Sequence, residues 1–195
     1  MHNHDIIYGF EQQFAREVAL GSILTEPQPV WSTMIPGKFV FDFLKRLKRI
    51  RTFSARYLFV RDLAFNLIAR QADIDAVVED ITTELTRIAK RHGPVSQDPP
   101  RLQAHLKTLV GLLNDHYRLM LAAEGNTWFQ LMAAAYPDAA VYQKFCAQQE
   151  ACEQNIAATV VFPKIERLRL PVWTDSEKNQ LAQRRVKYTE MAFGG

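Results

Sequence analysis

The sequence predicts an all-α protein, a single-domain helical bundle of about six to seven helices with a long or kinked central helix. Apolar residues recur at spacings of three and four along nearly the whole chain, which is the period of a helix that buries one face. Only 8 of the 195 residues are glycine, which is few for the tight turns of a barrel or a sandwich. A chain of this length buries a sizeable core, so residues 1–195 are predicted to form one domain, with residues 1–4 and 192–195 frayed.

The first predicted helix runs from about Asp5 to Ile23. Its apolar stripe consists of Ile7, Phe10, Phe14 and Val18. Two prolines between Thr25 and Pro29 end it, because proline cannot donate the backbone hydrogen bond that a continuing helix needs. A loop that carries Trp31 is predicted to follow as far as Gly37.

The second helical segment runs from Lys38 to Arg70, where no residue breaks a helix outright. Its weakest point is residues 52–54, so one long bent helix and two shorter helices are both compatible with the sequence. A third helix follows, with Asp73 as its expected N-cap and Gly93 at its C-terminal end. Its apolar stripe consists of Ile74, Val77, Val78, Ile81, Leu85 and Ile88.

A fourth helix is predicted to begin at Asp98 and Pro99, because proline in the first turn costs no hydrogen bond. Its apolar seam alternates spacings of four and three, as antiparallel packing requires. The seam consists of Leu102, Leu106, Leu109, Leu113, His116 and Met120. A short helix through Trp128 then stops at Pro137.

Two more helices complete the prediction. Asp138 opens the first, which is expected to face inward through Val141, Phe145, Cys152, Ile156 and Val160 and to end at Phe162-Pro163. The one candidate strand, residues 167–170, is too short to imply a sheet. Thr174 and Glu177 have the spacing of a capping box and begin the last helix. Its few apolar residues are spread around its surface, so it is expected to dock weakly or to serve a partner.

Composition excludes several classes of protein. The formal net charge of +3 is well short of a committed nucleic-acid-binding domain. The two cysteines make no disulfide framework. No run approaches the roughly 20 apolar residues that cross a bilayer, and the first residues lack the basic and apolar regions of a signal peptide. A cytoplasmic protein without a transmembrane segment is therefore expected.

Catalytic motifs are not found at the required spacings. The sequence has no phosphate-binding glycine loop, no dinucleotide fingerprint and no nucleophile elbow. The paired Glu-x-x-His motifs of a di-iron bundle are also missing. His105 and His116 share a helix face but lie roughly 16 Å apart along the axis, beyond a common metal shell. We therefore predict no catalytic residue, no metal site and no cofactor.

The segment from Lys38 to Arg51 predicts a basic amphipathic helix. An apolar arc of about 140° contains Phe39, Ile50, Phe43, Leu47, Val40 and Leu44. Most of the remaining circumference is basic, through Lys38, Lys45, Arg46, Lys48 and Arg49. Such a helix suits an anionic membrane, a nucleic-acid surface or a partner's groove. The same pattern is also found in core helices whose outer face is basic.

Arg61 is predicted to be largely buried, because it projects between Phe65 and Ile68 on a helix that is apolar nearly all round. A buried guanidinium needs an anion nearby. An internal salt bridge to an acid within residues 75–84 would supply it, as would an anionic ligand between the helices. The residues that would bind such a ligand are Arg61, His116 and His105, although His116 lies on the apolar seam and also fits a hydrogen-bonded core histidine.

Three functional hypotheses follow. The leading one is a non-enzymatic interaction module that binds a protein partner or itself. The second is a module for an anionic surface, nucleic acid or lipid, that uses the basic helix 38–51. The third is a ligand sensor or an enzyme with an inter-helix pocket around Arg61.

Overall fold

The computed structural model describes residues 2–24, 38–71, 73–161 and 169–194 of the chain, with the side chains of residues 38 and 39 excepted. Within these ranges the all-α prediction is confirmed. The helices are α1 (His2–Leu24), α2 (Lys38–Arg70), α3 (Ile74–His92), α4 (Pro99–Ala122), α5 (Trp128–Ala135), α6 (Ala139–Thr159) and α7 (Asp175–Phe193). Among the described residues, the one β-type backbone pairing is an isolated antiparallel bridge between Ser96 and Val160.

Capping residues set most of the helix ends, as their local chemistry predicts. The carboxylates of Asp73, Asp98 and Asp138 accept hydrogen bonds from the first turns of α3, α4 and α6. The capping box at the start of α7 is complete, with reciprocal bonds between Thr174 and Glu177. Gly93 ends α3 with a φ of 98°, a conformation that favours glycine.

The first helix begins at His2, three residues earlier than predicted, and so includes residues that were expected to be frayed. The Asn3 amide donates hydrogen bonds to the carbonyls of Leu121 (3.3 Å) and Ala123 (2.9 Å). This contact joins the start of α1 to the end of α4.

The central helix α2 is continuous, without a break at residues 52–54. It runs antiparallel to α1, because His4 contacts Phe65 while Phe14 stacks on Tyr57 farther back along α2. The two helices differ in length, 33 residues for α2 against 23 for α1, which amounts to about 15 Å at 1.5 Å per residue. None of residues 40–52 is buried, and the first buried residue described in α2 is Phe53. We call residues 40–52 the α2 overhang.

The core lies where α4 packs against α1, α2, α3 and α6. Every residue of the predicted α4 seam is buried, so that prediction is confirmed. Aromatic rings fill much of the remaining interior. Phe65 stacks on Tyr117 with ring centroids 4.1 Å apart, and Phe10 stacks on Trp128 at 3.8 Å.

The prediction of the inward face of α6 was partly wrong. Phe145 and Ile156 are buried, but Val141 is exposed, and the polar residues Gln149 and Glu153 take positions on the buried face. Polar side chains on an inner face shift the apparent apolar stripe, which is why the hydrophobic spacing of α6 misled the prediction.

The expectation that α7 docks weakly was also wrong. The helix packs against α1, α5 and α6. Leu181 and Tyr188 are buried in the core, and polar contacts add to them: Glu17 accepts hydrogen bonds from Arg184 (2.9 Å) and Tyr188 (2.5 Å), and Ser176 donates to the Ser22 carbonyl (3.0 Å). Docking of this kind leaves little trace in hydrophobic spacing.

Two sequence predictions fall outside the described residues: the loop that carries Trp31, and residues 167 and 168 of the candidate strand. The helix α6, which the sequence predicts to reach Phe162-Pro163, ends earlier, at Thr159. Within the part of the chain that the structure describes, no helix has the length and apolar character that crossing a bilayer demands.

Candidate functional site

A buried carboxylate, Glu11, lies between α1, α2 and α4. It accepts hydrogen bonds from the hydroxyls of Tyr57 (2.8 Å) and Tyr117 (2.7 Å) and from Nε of Arg61 (3.0 Å). Arg61 also donates through Nη1 to the Tyr57 carbonyl (2.9 Å) and lies over the Tyr57 ring. Arg61 is therefore buried, as predicted, and the chain itself supplies its anion.

The predicted partner of Arg61 was wrong. The acids of residues 75–84 are exposed on α3, where Asp75 pairs with Lys107 and Glu84 pairs with Arg87. The sequence does not point to Glu11, because the antiparallel register of α1 and α2, which brings the two residues together, is not readable from either helix alone.

The Glu11 carboxylate is ionised despite its burial. Burial by itself raises its pKa, but the Arg61 charge and the two tyrosine hydroxyls together lower the pKa below the ordinary value for glutamate. The pKa of Tyr57 and that of Tyr117 are raised well above the ordinary value, chiefly by burial, so both hydroxyls stay protonated as donors. All three groups are thus held in the protonation states that their hydrogen bonds require.

His116 is a hydrogen-bonded core histidine. Its Nδ1 lies 2.6 Å from the Tyr136 hydroxyl, and its ring stacks on Phe145 with centroids 4.3 Å apart. Burial lowers the pKa of His116 to about 4, so the ring is neutral at pH 7. His105 is half-buried, and its Nε2 has no hydrogen-bond partner among the described residues.

Arg61 and His116 line one small cavity, and His105 does not line it. Its volume is about 30 Å³, enough for one or two water-sized molecules, whereas pockets for typical organic ligands are roughly ten times larger. Glu11 already satisfies Arg61, and this cavity lacks the space that an anionic ligand of ordinary size needs.

A second polar cluster joins α6 to α7 around Glu153. The carboxylate accepts hydrogen bonds from Gln149 (2.8 Å) and from the Trp173 indole (2.8 Å), and Nη2 of Arg185 lies 3.5 Å from it. A cleft of about 150 Å³ opens beside these groups. Sequence reasoning missed the cluster because Glu153 and Arg185 have the pattern of ordinary solvated residues on weakly amphipathic helices.

A third buried ion pair fixes the start of α7 against α2. Nη2 of Arg56 lies 2.5 Å from Glu177, and Nη1 donates to the Val172 carbonyl. Glu177 also completes the capping box of α7, so one carboxylate both starts that helix and anchors it.

The α2 overhang combines exposed apolar and basic side chains. The exposed fractions are 45% for Val40, 76% for Phe41, 57% for Phe43 and 55% for Leu44. The exposed cations are Lys45, Arg46, Lys48 and Arg51. Arg49 is half-buried and has an interaction within the chain, and the side chain of Lys38 lies outside the described residues.

Among the residues that the structure describes, no group of three or more histidine, cysteine or acidic side chains is arranged to hold a metal ion. No protein-family model, curated protein or solved structure matches the chain. A functional hypothesis for this protein therefore depends on its own surfaces and cavities.

Proposed function

We propose that this protein is an interaction module that docks reversibly on an anionic lipid surface through the α2 overhang. The observation that carries the proposal is the exposure of Val40, Phe41, Phe43 and Leu44 beside exposed lysine and arginine side chains. A helix with apolar residues on one face and cations on the other is the usual form of an interfacial anchor.

Among the described residues, none buries the start of the apolar face, although Ile50 farther along is partly buried against the core. Among the described residues of α2, burial begins only at Phe53, and in the register that places Phe14 beside Tyr57, α1 ends at Leu24 before it reaches residues 40–44. Single exposed apolar residues are ordinary on protein surfaces, but three exposed residues of one apolar arc, Val40, Phe43 and Leu44, with Phe41 exposed among the neighbouring cations, favour an interaction surface.

An anionic lipid surface would interact both with the cations and with the exposed apolar side chains of the overhang. The cations contribute about 1 kcal/mol each near an anionic leaflet, and partial insertion of Phe43 and Leu44 adds a few kcal/mol more. Together these contributions correspond to a dissociation constant between about 1 mM and 1 µM, which is weak and reversible. Under this proposal the protein is cytoplasmic and docks on an inner leaflet, whose lipids are anionic.

Nucleic acid and protein partners are less well matched. A phosphate backbone would use the cations but would gain little from the exposed phenylalanine and leucine side chains. A groove in a protein partner, or in a second copy of this chain, would bury the apolar face but has no general need for four cations around it. The same surface nevertheless serves these alternatives, so the experiment includes them.

The test is co-sedimentation with vesicles of phosphatidylcholine, with and without 30% phosphatidylglycerol, at low and high salt. We expect binding only to the anionic vesicles, with a steep loss as salt rises. Phe43→Ser, which leaves the charge unchanged, and the double variant Lys45→Gln/Lys48→Gln should each weaken binding severalfold. The matched control is Lys90→Gln/Arg91→Gln, which removes two exposed cations from α3 and should leave binding unchanged.

Four outcomes would count against the proposal. Equal binding to neutral vesicles, or none to either, excludes an anionic lipid surface. Salt-sensitive binding to duplex DNA that is indifferent to Phe43→Ser would favour nucleic acid instead. A concentration-dependent increase in sedimentation coefficient, abolished by Phe43→Ser and seen without vesicle binding, would favour self-association.

A further inference from the structure

The cleft between α6 and α7 is the larger of the two cavities described above, at about 150 Å³. Its inner wall combines the buried side chains of Trp173 and Leu181 with Glu153 and Arg185. The mouth is formed by Glu150, Gln154, Ala157, Lys178 and Ala182. The inner wall thus carries an apolar patch with one acid and one base, and the mouth carries a second acid, Glu150, and a second base, Lys178.

The inner acid and base are incompletely paired. The distance of 3.5 Å between Nη2 of Arg185 and Oε1 of Glu153 is long beside the 2.7–2.9 Å of a well-formed ion pair. It is the one hydrogen bond of the Arg185 guanidinium within the described residues, and the Arg185 side chain lines both cavities. Burial alone lowers the pKa of Arg185, but the nearby Glu153 carboxylate raises it, so the guanidinium remains charged.

The Glu153 carboxylate is fixed in place by other groups. The Trp173 indole donates to Oε2 and the Gln149 amide donates to Oε1, each at 2.8 Å. Glu153 is buried, and its side chain is only 5% exposed. The acid is therefore rigidly presented, while the base opposite it lacks a short partner.

We propose that this cleft binds a small aliphatic α-amino acid in its zwitterionic form. The ligand's ammonium group lies against Glu153, its carboxylate lies against Arg185, and its side chain packs on Trp173 and Leu181. Insertion between the two residues replaces one long contact with two short charge-assisted ones.

A ligand of single charge fits the cleft less well. A carboxylate without an amine would meet Arg185 but would leave Glu153, and Glu150 at the mouth, facing a like charge. An amine without a carboxylate would meet Glu153 but would leave Arg185, and Lys178 at the mouth, facing a like charge. Only a molecule with both charges compensates both sides of the wall.

The size of the cleft limits the ligand. A cavity of about 150 Å³ accommodates a molecule of roughly the size of benzene. Valine is slightly larger, and the open mouth between Gln154 and Ala182 leaves room for the difference. No residue of the cleft belongs to the α2 overhang, so this inference is independent of the proposed lipid docking.

The experiment follows the indole N–H resonance of Trp173 by two-dimensional ¹H–¹⁵N NMR, assigned with a Trp173→Phe variant. The probes are L-valine, 3-methylbutanoate, which lacks the amine, and 2-methylpropan-1-amine, which lacks the carboxylate. We expect a saturable shift with valine and at least tenfold weaker binding of each analogue. No saturable shift with valine, or an analogue that binds as well as valine, would overturn the assignment.

Two variants locate the binding. Arg185→Gln should weaken valine binding at least tenfold, whereas Arg184→Gln, which removes the adjacent cation that pairs with Glu17, should leave it unchanged. Because Arg185→Gln also disturbs a buried ion pair, Ala182→Leu provides a second route: it fills the mouth without changing any charge and should exclude valine from a folded protein. Valine binding that survives both substitutions refutes the proposal.

Discussion

The buried pair of Glu11 and Arg61 is predicted to be a major determinant of stability. Glu11→Gln keeps the size of the side chain but leaves the buried guanidinium without its anion, and Arg61→Met leaves the carboxylate without its cation. Removing one member of a buried pair costs about 3–5 kcal/mol, a large part of the 5–15 kcal/mol that typically separates folded from unfolded protein. The hydrogen bonds of Glu11, at 2.7, 2.8 and 3.0 Å, are short enough to place this pair in that range.

The assay is urea unfolding followed by circular dichroism at pH 7. With a slope of about 2 kcal/mol per molar urea, each single substitution should lower the midpoint by about 2 M. The double variant Glu11→Gln/Arg61→Met should lose less than the sum of the single variants, by about 2 kcal/mol or more, because it leaves no uncompensated buried charge. Glu84→Gln, which removes one member of the exposed pair on α3, should leave the midpoint unchanged. Single losses below about 1 kcal/mol, or strictly additive losses, would refute a tightly coupled buried pair.

Two further predictions concern acid sensitivity and capping. His116 has a folded pKa of about 4 against 6.5 for a free histidine, so between these values the unfolded chain binds the extra proton and stability falls as the pH falls. The free energy of unfolding should drop by about 2 kcal/mol from pH 7 to pH 5 through this residue, and His116→Asn should flatten that dependence; an equal slope in the variant would show that other groups cause it. Thr174→Ala removes the capping box of α7 and should cost about 1 kcal/mol in urea unfolding, while Thr86→Ala, in the exposed interior of α3, should cost nothing. A loss no larger for Thr174→Ala than for Thr86→Ala would contradict the role of the cap.

Local chemistry was sufficient to predict most of the secondary structure. The start of α3 at Asp73 and its end at Gly93 depend on hydrogen bonds and backbone angles within a few residues, so neighbours along the chain decide them. The seam of α4 was equally predictable, since a regular period of apolar residues selects one buried face whatever packs against it. The basic amphipathic character of residues 38–51 also follows from the sequence alone.

The pairing of polar residues inside the bundle was decided only by the tertiary structure. Burial of Arg61 could be predicted from its apolar neighbours, but its partner Glu11 lies 50 positions away, and the register of two antiparallel helices brings them together. The same reason hid Glu153 and Arg185, which meet across α6 and α7. Hydrophobic periodicity reports which face of a helix is buried and does not report which polar residues meet there.

The surface of α2 shows most clearly which properties the sequence determines and which only the tertiary structure decides. Its sequence determines an apolar arc and a basic arc over residues 38–51, which a core helix and a docking helix share. Whether the apolar arc meets the core depends on how far the neighbouring helices extend, and α1, whose Phe14 lies beside Tyr57 and which ends at Leu24, stops short of residues 40–44 in that register. The length difference leaves Phe43 and Leu44 at the surface, because a helix buries only the part of its apolar face that another element covers.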